Sequence, residues 1–144
     1  MENTLREKSL NHEQTAATAA TEAKTSFDEL DENVKLALRC ASEKKAVNLT
    51  VLDLREITSF TEFFIIAGAT NQRQAQAISD DIQEQVKKQL GERPIRIEGY
   101  NNAEWILMDY GDFVVHIFEQ KSREFYDLER LWRDARKVQL PENL

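Results

Sequence analysis

The stretch NNAEWILMDYGDFVVHIFEQ, residues 101–120, decides the fold. Two apolar runs, Trp105 to Met108 and Phe113 to Phe118, flank DYGD at 109–112. Asp in such a connection bonds to nearby backbone and Gly111 supplies a positive φ, so the spacing predicts a β-hairpin. Period-two alternation places Phe113, Val115 and Ile117 on one side of the second strand, with Val114, His116 and Phe118 on the other. Both sides are apolar, which predicts a central strand covered by helices on at least one face. The same stretch carries one Trp, two Asp, one Tyr and one His. They are either an active site on a sheet, or the sheet's own residues plus a surface for a partner.

Working outward, FFIIAGA (63–69) reads as a strand buried on both faces, and VNLTVLDL (47–54) as an alternating strand. The short linker between them allows antiparallel pairing. In the segment that follows, Ala75, Ile78, Ile82, Val86 and Leu90 make a helical stripe that Gly91 is placed to end. Pro94 opens an extended piece, so this helix is a crossover onto the same sheet. Upstream, SFDE at 26–29 is a capping box, and Leu30, Val34, Leu38 and Ala41 form the stripe of a first helix. Downstream, Ser122 can cap a last helix over 122–138, with Phe125, Leu128, Leu131, Trp132 and Ala135 facing the core. Glu129–Arg133 and Arg130–Asp134 would be surface pairs of ~0.3 kcal/mol each. The order predicts an α+β fold: a mixed sheet of about five strands flanked by helices. Residues 26–140 form one domain in this reading. Residues 1–25 hold two Leu and no aromatic residue. That is too little burial to offset ordering entropy, so they are expected to be a mobile tail, with a short helix there the lesser alternative, and 141–144 to be a short C-terminal tail.

The chain has 144 residues, 41% of them hydrophobic, with a formal net charge of −7. That balance argues against a broad phosphate-binding face and fits a partner with a basic surface, such as a basic protein. The single cysteine, Cys40, excludes an internal disulfide and a Cys-based zinc site, and reads as buried and inert. No apolar run is long enough to span a membrane and no secretory signal is seen, which makes a cytoplasmic protein the expectation.

His116 is the natural catalytic suspect, but no nucleophile or second His stands at a telling spacing; a core histidine with one bonded ring nitrogen is the alternative. Asp109 and Asp112 read as hairpin residues before metal ligands. Asp80 and Asp81 point about 100° apart on a helix and do not converge on one ion. GAT at 68–70 enters a helix without a glycine-rich loop or a following Lys, a weak anion signal. Nucleotide-transferring enzymes with this type of sheet need two carboxylates on one strand, and no Asp-x-Asp strand follows Gly68. No catalytic residue, metal or cofactor is therefore expected.

Three collinear blocks, FTEFFIIAGATNQRQAQAISDDI, IEGYNNAEWILMDYGDFVVHIF and SREFYDLERLW, resemble the ribosomal silencing factor (iojap-like) family over roughly residues 29–138. The resemblance implies a binder with a nucleotidyltransferase-like fold that lacks the catalytic signature. It implies attachment to the large ribosomal subunit through its fourteenth protein, a steric block to subunit joining when nutrients are short, a role in late assembly, and homodimer formation. The family's partner contacts correspond to Trp105, Asp109 and Tyr126, with Ile106, Leu107 and Met108 continuing the strand. Trp105, at a strand start, is expected to stay partly exposed, a core Trp being the alternative, and Asp109, Asp112, Glu98 and Glu104 to give an acidic edge. Glu62 stands where Asp is more usual, and the tail has no counterpart in short members. The competing readings are a metal-dependent nucleotidyltransferase or phosphodiesterase using His116 with Asp109 or Asp112, and a large-subunit assembly factor.

Overall fold

The computed structural model describes residues 4–12 and 24–144. Its centre is β3 (Phe63–Ala69), in which every residue is buried. β2 (Val47–Asp53) pairs with it antiparallel, and β6 (Phe113–Glu119) pairs with it parallel. β5 (Trp105–Asp109) returns antiparallel on β6, and β4 (Arg96–Glu98) closes that edge. The hairpin forms as expected: Gly111 has φ 89 and donates its N–H to Asp109 Oδ1 at 2.8 Å.

Two strands were not anticipated. β1 (Thr25–Ser26) and β7 (Arg136–Gln139) complete a seven-stranded order β1-β7-β2-β3-β6-β5-β4, in place of about five. β7 pairs antiparallel with β2, and β1 pairs parallel with β7. The β1–β2 corner is fixed by Asp53. Its carboxylate accepts from Thr25 Oγ1 at 2.6 Å and from Arg55 Nη2 at 2.7 Å. Burial would raise the Asp53 carboxyl, but the bonds from Arg55 and Thr25 outweigh it and hold it below its ordinary value.

Helices cover both faces. α2 (Glu32–Glu43) and α3 (Gln72–Leu90) lie on one, burying Val34, Leu38, Ala41, Ala75, Ile78, Ile82 and Val86 against Ile65, Ile106, Met108, Phe113, Val115 and Ile117. The SFDE box is present but caps a 3₁₀ turn, Phe27–Glu29, and α2 starts later, after Asp31. α3 ends as its sequence requires, at Gly91 with φ 68, although Leu90 is itself exposed. Cys40 is buried, and burial, with Asp81 adding to it, pushes its thiol up to about 12. Leu144, expected in a tail, packs in part against this core.

The opposite face buries Leu52, Phe64, Ile66, Trp105, Leu107, Val114, Phe118 and Trp132. Here the expected last helix breaks in two, α4 (Gln120–Tyr126) and α5 (Leu128–Leu131). Asp127 between them has φ 49, and the chain then enters β7. The break rotates the stripe: Leu128, Trp132 and Ala135 stay buried, whereas Phe125 is 80% exposed. The charge pairs change with it. Glu129 accepts from Arg123, Arg130 meets Asp127, and Asp134 meets His12.

The tail expectation also changes. Residues 5–10 form a helix, α1 (Leu5–Leu10), capped by Thr4 and packed against the second cluster through Leu5 and Leu10. The remainder, 13–23, lies outside the described residues. No described helix is long and apolar enough to cross a membrane.

Candidate partner-binding face

The face around Trp105 begins with an arginine. Arg123 on α4 is buried, and its guanidinium donates to the carbonyls of Val47 at 2.9 Å and Asn48 at 2.6 Å and to Glu129 Oε1 at 3.0 Å. Asn48 has φ 49 at an irregularity in β2, which turns those carbonyls toward the helix. Gly68 makes room: a Cβ there would lie 2.8 Å from the Val47 oxygen and 3.0 Å from Arg123 Nη1. α4 is thereby clamped to the sheet, and the residues that follow, Phe125 and Tyr126, are held in place.

Tyr126 is half-buried, with its ring 4.7 Å from that of Trp105 and 5.0 Å from that of Phe125. Trp105 stacks on Phe118 at 5.1 Å and donates its Nε1–H to His116 Nδ1 at 3.0 Å. The result is a ledge: Phe125 outermost, Tyr126 half-sunk, Trp105 beneath. Glu104, Glu119 and Glu124 flank it in the chain, and the Glu119 N–H bonds the Glu104 carbonyl at 3.0 Å.

Only part of the sequence-derived contact set is on this ledge. Trp105 is 3% exposed, so the expected partly exposed ring is instead buried at the base. Ile106 and Met108 are 0% exposed because strand alternation turns them to the α2–α3 face; neither offers surface to a partner. Asp109 is at the far end of β5, opposite Val114 and bonded to its own turn. It is four residue steps along the strand from Trp105, roughly 13 Å. The acidic edge divides likewise: Glu104 is at the Trp105 end and Asp112 at the hairpin. Asp112 gathers there with Glu62 and Asp31, all three carboxylates within 4.8 Å of one another. Sequence reasoning missed Phe125 and Arg6. Arg6 lies over the Trp105 ring at 4.4 Å and donates to its carbonyl at 3.0 Å.

His116 resolves as a core residue. It is 0% exposed, and Nδ1 accepts from Trp105, so Nε2 carries the proton of the neutral ring. Burial first, and the Arg6 charge second, push its pKa down to about 3. A ring this buried and this weakly basic does not exchange protons with a substrate. The weak anion signal at 68–70 is also accounted for. Asn71 caps α3 by accepting from the Gln74 N–H at 2.8 Å, and Gln74 Oε1 accepts the Thr70 N–H at 2.7 Å.

The chain is similar to known proteins over most of its length. The family model described as ribosomal silencing factor during starvation matches residues 27–144. A ribosomal silencing factor of Halalkalibacterium halodurans is 38% identical over 109 residues, 76% of this chain and 92% of that protein. One from Bacillus subtilis is 35% identical over 102 residues, covering 71% and 86%. A crystal structure of a Chromobacterium violaceum protein superposes with a TM-score of 0.68 at 32% identity, covering 77% of this chain and 88% of that one.

Proposed function

The chain belongs to the ribosomal silencing factor family, a regulatory and non-enzymatic family associated with the ribosome, and on that premise we propose how it acts. It binds the large ribosomal subunit in the cytoplasm through that subunit's fourteenth protein, and its bulk keeps the small subunit from docking. The observation that supports a protein partner most directly is Phe125, a large aromatic side chain 80% exposed and backed by Tyr126. Aromatic residues are typical interface anchors, and a few such side chains carry most of the binding energy. The exposed Glu104 and Glu124, next to Trp105 and Phe125 in the chain, and the net charge of −7 favour encounter with a basic protein and oppose binding to bare phosphate. Trp105 contributes by supporting Tyr126 from below, and Asp109 by holding the hairpin at the far end of the same strand.

The test is co-sedimentation with purified large subunits, read together with joining of small subunits. Phe125→Asp leaves the fold intact, since the side chain is exposed, and lowers affinity about thirtyfold, the equivalent of ~2 kcal/mol at a hot spot. Tyr126→Ala acts in the same direction. Wild-type co-sedimentation by both variants would refute this ledge as the interface.

A further inference from the structure

Residues 4–12 lie outside the family match, which begins at 27, yet they are seated on the face just described. α1 has six residues, too few to be stable by themselves, so its order comes from docking. Its contacts fall on the two tryptophans of the chain. Arg6 lies over the Trp105 ring and bonds its carbonyl. The Ser9 carbonyl accepts the Trp132 Nε1–H at 2.8 Å. His12 stacks on the Trp132 ring at 3.7 Å and 6°, with Nε2 2.8 Å from Asp134 Oδ1. Gly99 leaves the passage for Arg6, since a Cβ there would lie 2.9 Å from Arg6 Nη2. The seat is not fully satisfied: Arg6 Nε is buried with no acceptor among the described residues, a cost that opening would relieve.

We propose that residues 4–12 are an intramolecular cover over Trp105 and Trp132, at the base of the Tyr126–Phe125 ledge, and that the cover and the ribosomal partner compete for that base. The inference rests on the partner reading given under Proposed function. The occupant is the segment 4–12, held by Arg6, Leu5 and Leu10 on α1 and by His12 just past its end. A partner that engages the ledge down to Trp105 meets Arg6 first. The apparent affinity is then the intrinsic affinity scaled by the uncovered fraction, so a cover closed nine-tenths of the time weakens binding about tenfold.

The experiment uses the full chain with Leu5→Asp and Leu10→Asp together, and Arg6→Ala alone as a milder second variant. Two readouts are taken: acrylamide quenching of tryptophan fluorescence, and affinity for purified large subunits. Circular dichroism confirms that each variant is folded. The expected result is at least a twofold rise in quenching, because both tryptophans lose their lid, with about tenfold tighter binding for the double variant. Adding a synthetic peptide of residues 1–12 reverses both. Unchanged quenching in both folded variants overturns the cover itself. Raised quenching with equal or weaker binding overturns the competition while leaving the partner reading standing. If neither wild type nor variants sediment with subunits, the partner reading fails and takes the competition with it.

Discussion

His116 gives a pH signature that can be calculated from its surroundings. The ring is enclosed by Phe64, Trp105 and Phe118, receives the Trp105 N–H, and is depressed to about 3 against an ordinary value of 6.5. The folded state therefore binds fewer protons than the unfolded chain between those two values. Stability from this residue is complete above the unfolded pKa and is lost as pH falls through the window. Between pH 7 and pH 5 the loss is about 2 kcal/mol, since the unfolded ring protonates and the folded one does not. That result is insensitive to the folded value so long as it stays well below 5. His116→Gln keeps an acceptor for Trp105 Nε1 and removes the titration. Urea unfolding at pH 7, 6 and 5 should show wild type losing about 2 kcal/mol more than the variant across this range, or roughly 8 °C in melting temperature. Asp53, whose carboxyl is held low, loses its contribution only below its unfolded value of 3.8 and cancels in the comparison. Equal losses in the two proteins would show that the imidazole charges freely in the fold, and would refute the argument that it is a sealed core group.

Two further outcomes follow from the clamp and the glycine passage. Arg123→Ala leaves the Val47 and Asn48 carbonyls without their donors and should cost about 2–4 kcal/mol in urea unfolding; Arg123→Lys should recover only part, because one ammonium cannot span both carbonyls and Glu129. Gly99→Ala puts a Cβ against the Trp105 carbonyl at φ +76, so a loss of about 2 kcal/mol or more is expected, with raised acrylamide quenching as Arg6 is displaced.

Much of the sheet was legible because its signals are local. The run at 63–69 is apolar without interruption, and 105–118 alternates about a turn with Gly at the required place; both appear as read. Cys40 and His116 were also readable, since each stands within an apolar pattern. β1 and β7 carried no such signal. They have two and four residues and exist only through pairing with partners distant in sequence. The last helix misled for a definite reason. Helical periodicity over 125–135 assumes one unbroken axis, and a single left-handed residue, Asp127, resets the phase, turning Phe125 outward and sending 136–139 into the sheet. Ile106 and Met108 are neighbours of Trp105 in sequence but not in space, because alternate strand residues point to opposite faces. A short helix in the first residues is only the lesser reading of the sequence, and its docking is not legible, because its partners are long-range and largely polar, which composition does not report.

The two tryptophans show why the first residues matter to the face they cover. Trp105 satisfies its indole N–H inside the domain, on His116, whatever α1 does. Trp132 satisfies its own on the carbonyl of Ser9, and Asp134 beside it is bonded by His12. Lifting α1 therefore leaves Trp105 uncovered but internally paired, and leaves Trp132 and Asp134 in want of partners. An unpaired buried donor costs about 1–3 kcal/mol, more for a carboxylate, unless water or another chain replaces the lost group. Opening at the Trp105 end gives up the Arg6 bond to the Trp105 carbonyl but frees Arg6 Nε, which is buried with no acceptor among the described residues, so the net resistance is concentrated at the Trp132 end. The cover should fray from Arg6 first, exposing the part of the face next to Tyr126 and Phe125 before the rest. A partner that takes hold of the ledge can then displace α1 progressively, without first waiting for every contact of residues 4–12 to break at once.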